Sequence, residues 1–490
     1  MSLSAECIQN IFLFLYEDTA DLFSCLLVNR FWCQNSVALL WRRPWIPEHS
    51  RNQDSASKLI QIYVSCLPEE AKRALIKNGI NFRTPSTPLA FDYASFLRDL
   101  DYDQMYWSIN MSSSYRSESE EETEEETERK SKLVANELCK LFMSKCATFF
   151  SLCLATRVDQ VDYPFLPSFP NTGNYLSKLR EFTCQGDEKA ELFIALSQVC
   201  KDIHRISVSG TSYSIWTPNY EADTLSLASL IKAQTRLKSL CLYGYQGFLA
   251  NILNALEYQR HSLESLELRY TDIKSESDCD SLETLSQCEN LISLKLHNCS
   301  IPPNEKLMHL TKFSRLEEFD YCNEWNPFFA LPPNNFWATM LQNTTKTLRR
   351  LSLWWIRADQ NDGAQIIEYI AENCKNVTYL HLPVLWASEV FKILDSCMLL
   401  KTFLFSGEEF DANETLPQLG KYVPRRLRRL AIKDINKDGH NAGWQFTEKS
   451  LERFLENCKA PLEVFDLRNC ECMTDQHYAV LKRRNIQHII

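Results

Sequence analysis

The sequence has no hydrophobic segment long enough to cross a membrane, because none of its apolar runs approaches the ~18 residues of a membrane helix. Its first residues have no basic segment and include Glu6, so we expect no secretory signal. The formal net charge is −10, whereas general nucleic-acid binding requires a basic face. These absences predict a protein of the cytoplasm, the nucleus or both, without membrane or nucleic acid as a partner.

Motifs of catalysis and of cofactor binding are also missing. The chain has no P-loop, no HExxH, no GxSxG and no dinucleotide-binding fingerprint. Gly420-Lys421 lacks the glycine spacing and the Ser/Thr that surround such a pair in a P-loop. Isolated strand histidines are much more often surface residues than catalysts. We therefore predict a protein that is not an enzyme and that needs no cofactor.

The 19 cysteines are an odd number and include no CxxC pair, and Cys470-Glu-Cys472 alone is weak evidence for a metal site. Several cysteines stand three residues before an anchor residue of a repeat. This placement predicts small, buried core residues and argues against a disulfide framework or a metal site. The cysteines at this position are Cys146, Cys200, Cys288, Cys374 and Cys397.

The repeat is clearest at residues 288–299, which read CENLISLKLHNC. Leu291, Leu294 and Leu296 form an LxxLxL pattern, in which the last two alternate with polar residues as in a strand with one buried face. Comparable triads recur through 149–490 at intervals of about 28 residues, with helical stretches between them. The pattern predicts an α/β fold, a curved leucine-rich-repeat solenoid with a parallel sheet on its concave face.

Residues 1–45 have the pattern of a short helical domain that precedes the repeats. Its apolar residues fall at helical spacing. About 40 residues is close to the lower limit for an independent core, so some apolar surface needs another partner. The pattern alone is equally compatible with a cap on the solenoid and with a domain that binds a second protein.

The segment from Leu3 to Trp41 resembles an F-box. The matching positions are Leu3-x-x-Glu6, Ile11-Phe12, Leu15, Asp21-Leu22, Val28-Asn29-Arg30, Trp32 and Leu39-Leu40-Trp41, whereas Ser4 replaces the usual proline. The resemblance implies three helices that dock on the adaptor subunit of a cullin–RING (SCF-type) ubiquitin ligase. The residues that it assigns to adaptor binding, some of them shared with the internal core, are Leu3, Ile8, Ile11, Phe12, Leu15, Leu22, Leu26, Val28 and Trp32.

The repeats at 288–299 and 462–470 resemble the cysteine-containing subtype of leucine-rich repeat, which is associated with F-box proteins. Two separate features thus resemble one family, the F-box leucine-rich-repeat proteins. The family implies a substrate-recognition subunit, with the catalytic step performed by other subunits. The alternative is a non-catalytic leucine-rich-repeat scaffold or inhibitor whose N-terminal helices cap the solenoid.

The pattern of residues 46–148 predicts a mostly helical connector. Pro68 suits the first position of a helix, and Gly79 suits the position just after the end of that helix. A further short helix is predicted over 91–99. The run 117–128, SESEEETEEETE, has eight glutamates and no apolar residue. We therefore predict a disordered acidic loop over 112–131, which is either a solvated surface loop or an interaction tail.

Residues that alternate with the buried LxxLxL positions should line the concave surface of the sheet. Their charges are as compatible with a solvated strand face as with binding, whereas an exposed Trp354 beside arginine favours binding. The residues predicted to bind a protein substrate are Tyr243, Arg269, Lys295, His297, Glu318, Asp320, Arg350, Trp354, Tyr379 and His381.

Overall fold

The computed structural model describes residues 5–15, 18–45, 53–82, 88–112, 123–154, 164–170, 172–185, 189–210, 220–245, 247–273, 275–301, 305–323, 332–355, 360–407, 412–433, 446–467 and 473–489. The chain forms two compact units. Unit 1 comprises Met1–Thr211 and Trp216–Leu237, and unit 2 comprises Ser212–Ile215 and Lys238–Ile490. Both units contain parallel strands that alternate with helices.

Unit 1 begins with a group of helices and continues into the first strands of the repeat region. The helices that the described residues form are α1 (Ala5–Phe14), α2 (Thr19–Leu26), α3 (Arg30–Leu40), α4 (Gln53–Ser65), α5 (Glu69–Lys77), α6 (Tyr102–Met111), α7 (Glu124–Lys145), α8 (Thr172–Leu176), α9 (Ala190–Val199) and α10 (Tyr220–Lys232). The strands, which pair in chain order and in parallel, are β1 (Asp99–Asp101), β2 (Ser151–Leu154), β3 (Glu181–Gln185) and β4 (Arg205–Ser209).

Unit 2 continues the alternation of strands and helices. Its described strands, again parallel and paired in chain order, are β5 (Ser239–Tyr243), β6 (Ser265–Arg269), β7 (Ser293–His297), β8 (Glu318–Asn323), β9 (Arg350–Trp355), β10 (Tyr379–Leu385), β11 (Thr402–Gly407), β12 (Arg429–Lys433), β13 (Val464–Asp466) and β14 (Gln487–Ile489). The helices are α11 (Leu249–Ala255), α12 (Glu276–Leu285), α13 (Asn334–Thr344), α14 (Gln360–Asn373), α15 (Ala387–Ser396), α16 (Ala412–Tyr422), α17 (Glu448–Asn457) and α18 (Asp475–Arg483).

One apolar residue of each repeat continues a buried row across the strands of unit 2. Burying each of these side chains contributes about 1.5–3 kcal/mol, so neighbouring repeats stabilise one another through a shared core. The order and register confirm the predicted α/β architecture of a leucine-rich-repeat solenoid with a parallel sheet. The row runs through Leu240, Leu266, Leu294, Phe319, Leu351, Leu380, Phe403, Leu430 and Phe465.

Helices α2 and α3 each begin at a side-chain cap, and α1–α3 share a small core. Asp18 accepts a hydrogen bond from the Asp21 N–H at 3.0 Å, and Asn29 accepts one from the Trp32 N–H at 2.9 Å, so each helix start is capped. The rings of Phe12 and Trp32 meet edge to face at 5.3 Å. The core consists of Ile8, Phe12, Leu22 and Cys25, with Leu15, Trp32, Leu39 and Leu40 packed against it.

The connector contains a strand that the sequence analysis does not predict. Over 91–99, where a short helix is predicted, the structure has a 3₁₀-helix at Tyr93–Phe96 and then β1, which pairs with β2. Leu100 is the buried residue of β1 and lies beside Leu152. One apolar residue between two aspartates is too short a pattern to be recognised as a repeat, so the strand is missed.

Helix α7 begins inside the acidic segment 112–131. Its start is capped by Thr123, which accepts a hydrogen bond from the Glu126 N–H at 3.3 Å. Glu126 and Glu128 form ion pairs with Arg129 and Lys132 one turn later, and glutamates suit the positive end of a helix dipole. The prediction of disorder is therefore wrong for 124–131, whereas 113–122 lies outside the described residues.

The cysteines at the repeat positions are all buried and free, as predicted. Cys146 donates a hydrogen bond to the Ala94 carbonyl at 3.2 Å, and Cys200 donates one to the Leu176 carbonyl at 3.3 Å. Burial raises the pKa of the Cys200 and Cys288 thiols to about 12, so both remain protonated and uncharged at neutral pH. Cys470 and Cys472 lie outside the described residues.

Candidate protein-binding surfaces

The ten residues predicted to bind substrate lie on strands β5–β10 of unit 2, and we call this set the strand face. Along these strands buried residues alternate with more exposed ones, as at Leu266 and Leu268 between Ser265, Glu267 and Arg269. The parallel register arranges the positions that alternate with the leucines in rows whose members are about 4.8 Å apart. One row contains Ser293, Glu318, Arg350 and Tyr379, the next contains Lys295, Asp320, Ser352 and His381, and a third contains Tyr243, Arg269, His297, Cys322 and Trp354.

Glu318 connects three neighbouring strands through its carboxylate. Its Oε1 lies 3.3 Å from Lys295 Nζ and 3.3 Å from Arg350 Nε, and Ser293 Oγ donates a hydrogen bond to its Oε2 at 2.8 Å. These groups are partly exposed, so each ion pair contributes only about 0.2–1 kcal/mol to stability. Their main effect is geometric, because one carboxylate restricts the positions of two long cationic side chains.

Asp320 is the centre of a second polar group. His297 Nε2 lies 3.2 Å from Asp320 Oδ2, and Lys295 and Ser352 also interact with this carboxylate. Burial acts to raise the pKa of Asp320, but the interactions with His297, Ser352 and Lys295 outweigh it and lower the pKa from its ordinary 3.8. Ser352 Oγ lies 3.4 Å from His381 Nδ1. The group therefore extends from β7 to β10 around an ionised carboxylate.

Two aromatic residues of the strand face are held by neighbouring side chains. The rings of Trp354 and His381 have their centres 4.7 Å apart and are tilted by 34°, and Trp354 stays partly exposed. The Arg350 guanidinium carbon lies 4.0 Å from the centre of the Tyr379 ring, within the range of a cation–π contact. Aromatic residues and arginine are the types that contribute most energy at protein interfaces.

Tyr243 and Arg269 lie on β5 and β6 and have different contacts. The Arg269 guanidinium is paired with the Glu267 carboxylate on the same strand. The Tyr243 ring lies 4.9 Å from that of Tyr270, a residue that the sequence analysis missed because it follows the end of β6. The other eight predicted residues are joined by contacts into two groups across β7–β10. Tyr243 and Arg269 extend the strand face to β5 and β6.

Some polar contacts of the strands join residues that are distant in the chain and that sequence patterns do not identify. Ser352 contacts Asp320 and His381, although a lone serine in a strand has no distinctive pattern. Arg429 Nη2 lies 2.8 Å from Asp466 Oδ2 across β12 and β13. In the register Asp466 lies opposite Ala431, and Arg429 lies opposite Val464, so the repeat period alone does not pair these two charges.

The residues that the F-box resemblance assigns to adaptor binding fall into separate structural classes. Ile8, Phe12 and Leu22 are buried in the core of α1–α3, so they belong to the internal core that the resemblance allows among these residues. Ile11 and Val28 are exposed. Leu15, Leu26 and Trp32 are partly exposed, and Leu3 lies outside the described residues.

The same helices expose large apolar side chains that sequence analysis did not single out. Phe14 is 91% exposed and Leu27 is 74% exposed, although both belong to strongly apolar segments. Helical spacing alone could not distinguish them from core residues. The exposed apolar residues at this end, which we call the apolar group, are Ile11, Phe14, Phe23, Leu27, Val28 and Phe31.

The described residues lack the geometry of a metal site and, at Gly420-Lys421, that of a phosphate-binding loop. Among the described residues, no group of three or more His, Cys, Asp or Glu side chains is placed to hold a metal ion. Gly420 and Lys421 lie near the end of α16 rather than in a loop that precedes a helix, which is not the geometry of a phosphate-binding loop. The described part of the chain has no helix both long and apolar enough to span a bilayer.

Comparisons with known proteins give similarities at the level of folds. No protein-family model matches the chain, and no curated protein matches it. An internalin from Listeria monocytogenes aligns at 15% identity with a TM-score of 0.32, over 64% of this chain and 81% of its own. The leucine-rich-repeat protein LegL7 from Legionella pneumophila aligns at 15% identity and a TM-score of 0.37, over 63% of this chain and 96% of its own. A chain of the yeast Rad7–Elc1 complex aligns at 15% identity with a TM-score of 0.34, over 62% of this chain and 67% of its own. At such low scores, the strand order and register of this chain alone establish its fold.

Proposed function

We propose that this chain is the substrate-recognition subunit of a cullin–RING (SCF-type) ubiquitin ligase. Helices α1–α3 bind the adaptor subunit and, through it, the cullin and RING subunits. The strand face of β5–β10 binds a protein substrate. The observation that carries the proposal is the apolar group, which stands on the helices that resemble an F-box.

In the described part of the chain, the apolar group is not needed to fill the core of α1–α3. That core is already filled by residues such as Phe12 and Leu22, whereas Phe14 and Leu27 remain exposed. Helices that served only as a cap would bury such residues against their own protein. Burial of one Phe or Leu contributes about 1.5–3 kcal/mol, so six of them favour a surface that another protein covers.

The strand face has the composition of a surface that recognises one protein. Its cations and carboxylates alternate from strand to strand, as in Lys295, Glu318 and Arg350. A uniformly charged face would suit any polyanion, whereas a mixed face fixes the register of one complementary surface. Trp354 and Tyr379 supply aromatic anchors beside these charges.

In this proposal the chain performs no chemical step and is not an enzyme. Ubiquitin transfer belongs to other subunits, and this chain holds the substrate near them, which raises the effective concentration of its lysines. The same role requires no cofactor. Two separate binding surfaces on one chain are what such a bridging function needs.

Adaptor binding can be tested by replacing the two most exposed members of the apolar group. We expect the full chain to co-purify with the adaptor and the cullin, and Phe14→Ser with Leu27→Ser to reduce adaptor affinity by roughly tenfold or more. Both side chains are exposed, so the variant should unfold at the same temperature as the wild type. Phe12 is unsuitable for this test, because replacing it would empty the helical core.

A matched control replaces exposed apolar residues elsewhere, Ile194→Ser with Met398→Ser, and should bind the adaptor normally. Failure of the wild-type chain to capture the adaptor would reject the proposal and leave the scaffold alternative. Normal adaptor binding by the Phe14/Leu27 variant would reject α1–α3 as the docking surface.

A further inference from the structure

The edge at which strands β9–β12 begin is strongly basic, although the chain has a net charge of −10. Each of these strands follows an anchor residue, Leu348, Val377, Leu400 or Leu427. The two positions before and the two after each anchor contain nine cations and no acid. We call these nine residues the basic edge: Lys346, Arg349, Arg350, Lys375, Lys401, Arg425, Arg426, Arg428 and Arg429.

Backbone hydrogen bonds hold the basic edge in a regular order. The Thr378 N–H donates to the Arg349 carbonyl, the Lys401 N–H to that of Thr378, and the Arg428 N–H to that of Lys401, each at 2.8 Å. Neighbouring strands are about 4.8 Å apart, so four strands extend the edge over roughly 14 Å. Arg429 is partly exposed, and the other eight cations are exposed.

Six of these nine cations have no carboxylate partner among the described residues. Arg350, Arg428 and Arg429 are within 4.0 Å of Glu318, Glu463 and Asp466 respectively. In the part of the chain that the structure describes, no ion pair is formed by Lys346, Arg349, Lys375, Lys401, Arg425 or Arg426. Arg349 and Lys375 instead donate hydrogen bonds to backbone carbonyls.

The basic edge is limited on both sides by acids. On one side, Glu317 lies just before β8 and Glu318 at its start, at the equivalent positions. On the other side, Glu463 lies just before β13 and Asp466 at its end. The excess positive charge is therefore confined to four strands. An extended peptide rises about 3.3 Å per residue, so roughly four or five residues match this length.

The basic character is not a general property of this repeat. At the same four positions around the anchors of β6, β7 and β8, the only Lys or Arg is Arg315. The acids at these positions are Glu264, Glu289, Glu317 and Glu318. The sign of the charge thus reverses within one parallel sheet.

We propose that the basic edge binds an acidic peptide segment, a run of four or five aspartates and glutamates in a partner protein. Arginine guanidinium groups bind carboxylates in bidentate geometry, and Arg350 is already held in place by Tyr379. A nucleic acid would extend past the edge and meet the acids on β8 and β13, which disfavours it. The proposal goes beyond ligase function, because it requires only this edge and not the helices α1–α3.

Direct binding tests the proposal with the full chain and a defined peptide. The probe is a fluorescein-labelled SESEEETEEETE peptide, which has eight carboxylate side chains, and the matched peptide is SQSQQQTQQQTQ. At about 50 mM salt, where screening is weak, fluorescence anisotropy should show binding of the first peptide and not of the second. Lys401→Glu with Arg425→Glu and Arg426→Glu should weaken binding by the order of tenfold or more.

The control removes three exposed cations elsewhere in unit 2, with the variant Lys312→Glu, Lys449→Glu and Arg453→Glu. It has the same net charge as the test variant and should bind the peptide like the wild type. Equal losses in the two variants would overturn the proposal, since they would show an effect of overall charge. Tighter binding of a single-stranded DNA 20-mer than of the peptide would also overturn it.

The peptide has the sequence of the chain's own residues 117–128, so the assay is repeated with that run replaced by a Gly/Ser linker. Binding that appears only after the replacement would overturn the proposal of a partner segment, because the acidic run of this protein, from the same or another copy, would then compete for the edge. Absence of binding to both chains would overturn the proposal. Adaptor capture is measured on the same samples, so failure here is distinguishable from failure of the ligase proposal.

Discussion

At the scale of single residues, position within the fold decides the role of an apolar side chain more than its type does. Phe12 is fully buried against Trp32, and Phe14, two residues later, is 91% exposed. Both belong to one apolar segment, and only the packing of α1 against the next two helices separates them. The distinction between core and contact residues in this domain could therefore not be made from the sequence.

The ionised state of Asp320 gives a prediction about pH. Because the folded pKa lies below the ordinary 3.8, this carboxylate stabilises the folded state above that pH. Its contribution is lost as the pH falls through 3.8 and then through the lower folded value. Asp320→Asn should therefore reduce the difference between the free energies of unfolding that urea titrations give at about pH 6 and about pH 3.

A control for this experiment is Asp395→Asn, which changes an exposed carboxylate. This variant should keep the pH dependence of the wild type. The same pH dependence in the Asp320 variant as in the wild type would mean that His297, Ser352 and Lys295 do not hold Asp320 in its ionised form.

At the scale of elements, the sequence predicts strands well and the limits of helices less well. The LxxLxL pattern carries a period of two and a fixed spacing, so it identifies the strands of unit 2 and their order. Helix ends with a strong local signal are also predictable, as Gly79 shows by its φ of +76° just after α5. Strand β1 is not predictable, because it depends on pairing with β2. The start of α7 is not predictable either, because it consists of charged residues that usually indicate disorder.

Close packing of α16 and α17 gives a prediction about a single methyl group. A Cβ added at Gly420 would overlap the Phe454 carbonyl oxygen and lie 3.0 Å from the Asn457 Cβ. Gly420→Ala should force the helices apart and lower the free energy of unfolding by about 1–3 kcal/mol. Urea denaturation of the full chain measures this change.

Gly173 offers a matched control, since a Cβ there would meet no atom within 4 Å and the residue lies in α8. Gly173→Ala should leave stability unchanged or raise it by roughly 0.5–1 kcal/mol, because alanine favours a helix. A Gly420 variant as stable as the Gly173 variant would show that the two helices are not in tight contact.

At the scale of the whole molecule, the strand face and the basic edge consist of rows of equivalent residues from several repeats rather than of residues from one repeat. Glu318 contacts residues from the repeat before it and from the repeat after it. The period alone predicts that such residues are neighbours, and the register places them so. The contacts between side chains of these rows were only partly predictable. The partners of Ser352 and Arg429 and the limits of the basic edge depend on where the side chains lie.

The most direct test of the account concerns the proteins whose ubiquitination depends on the strand face. Trp354→Ala with Arg350→Ala removes an aromatic anchor and a cation from strand β9. A central aromatic residue at an interface contributes of the order of 2 kcal/mol. Quantitative mass spectrometry of ubiquitin remnants compares cells that express this variant with cells that express the wild type. We predict that a subset of ubiquitinated proteins is lost while adaptor binding stays at the wild-type level. An unchanged set of ubiquitinated proteins, with the variant bound normally to the adaptor, would contradict the account.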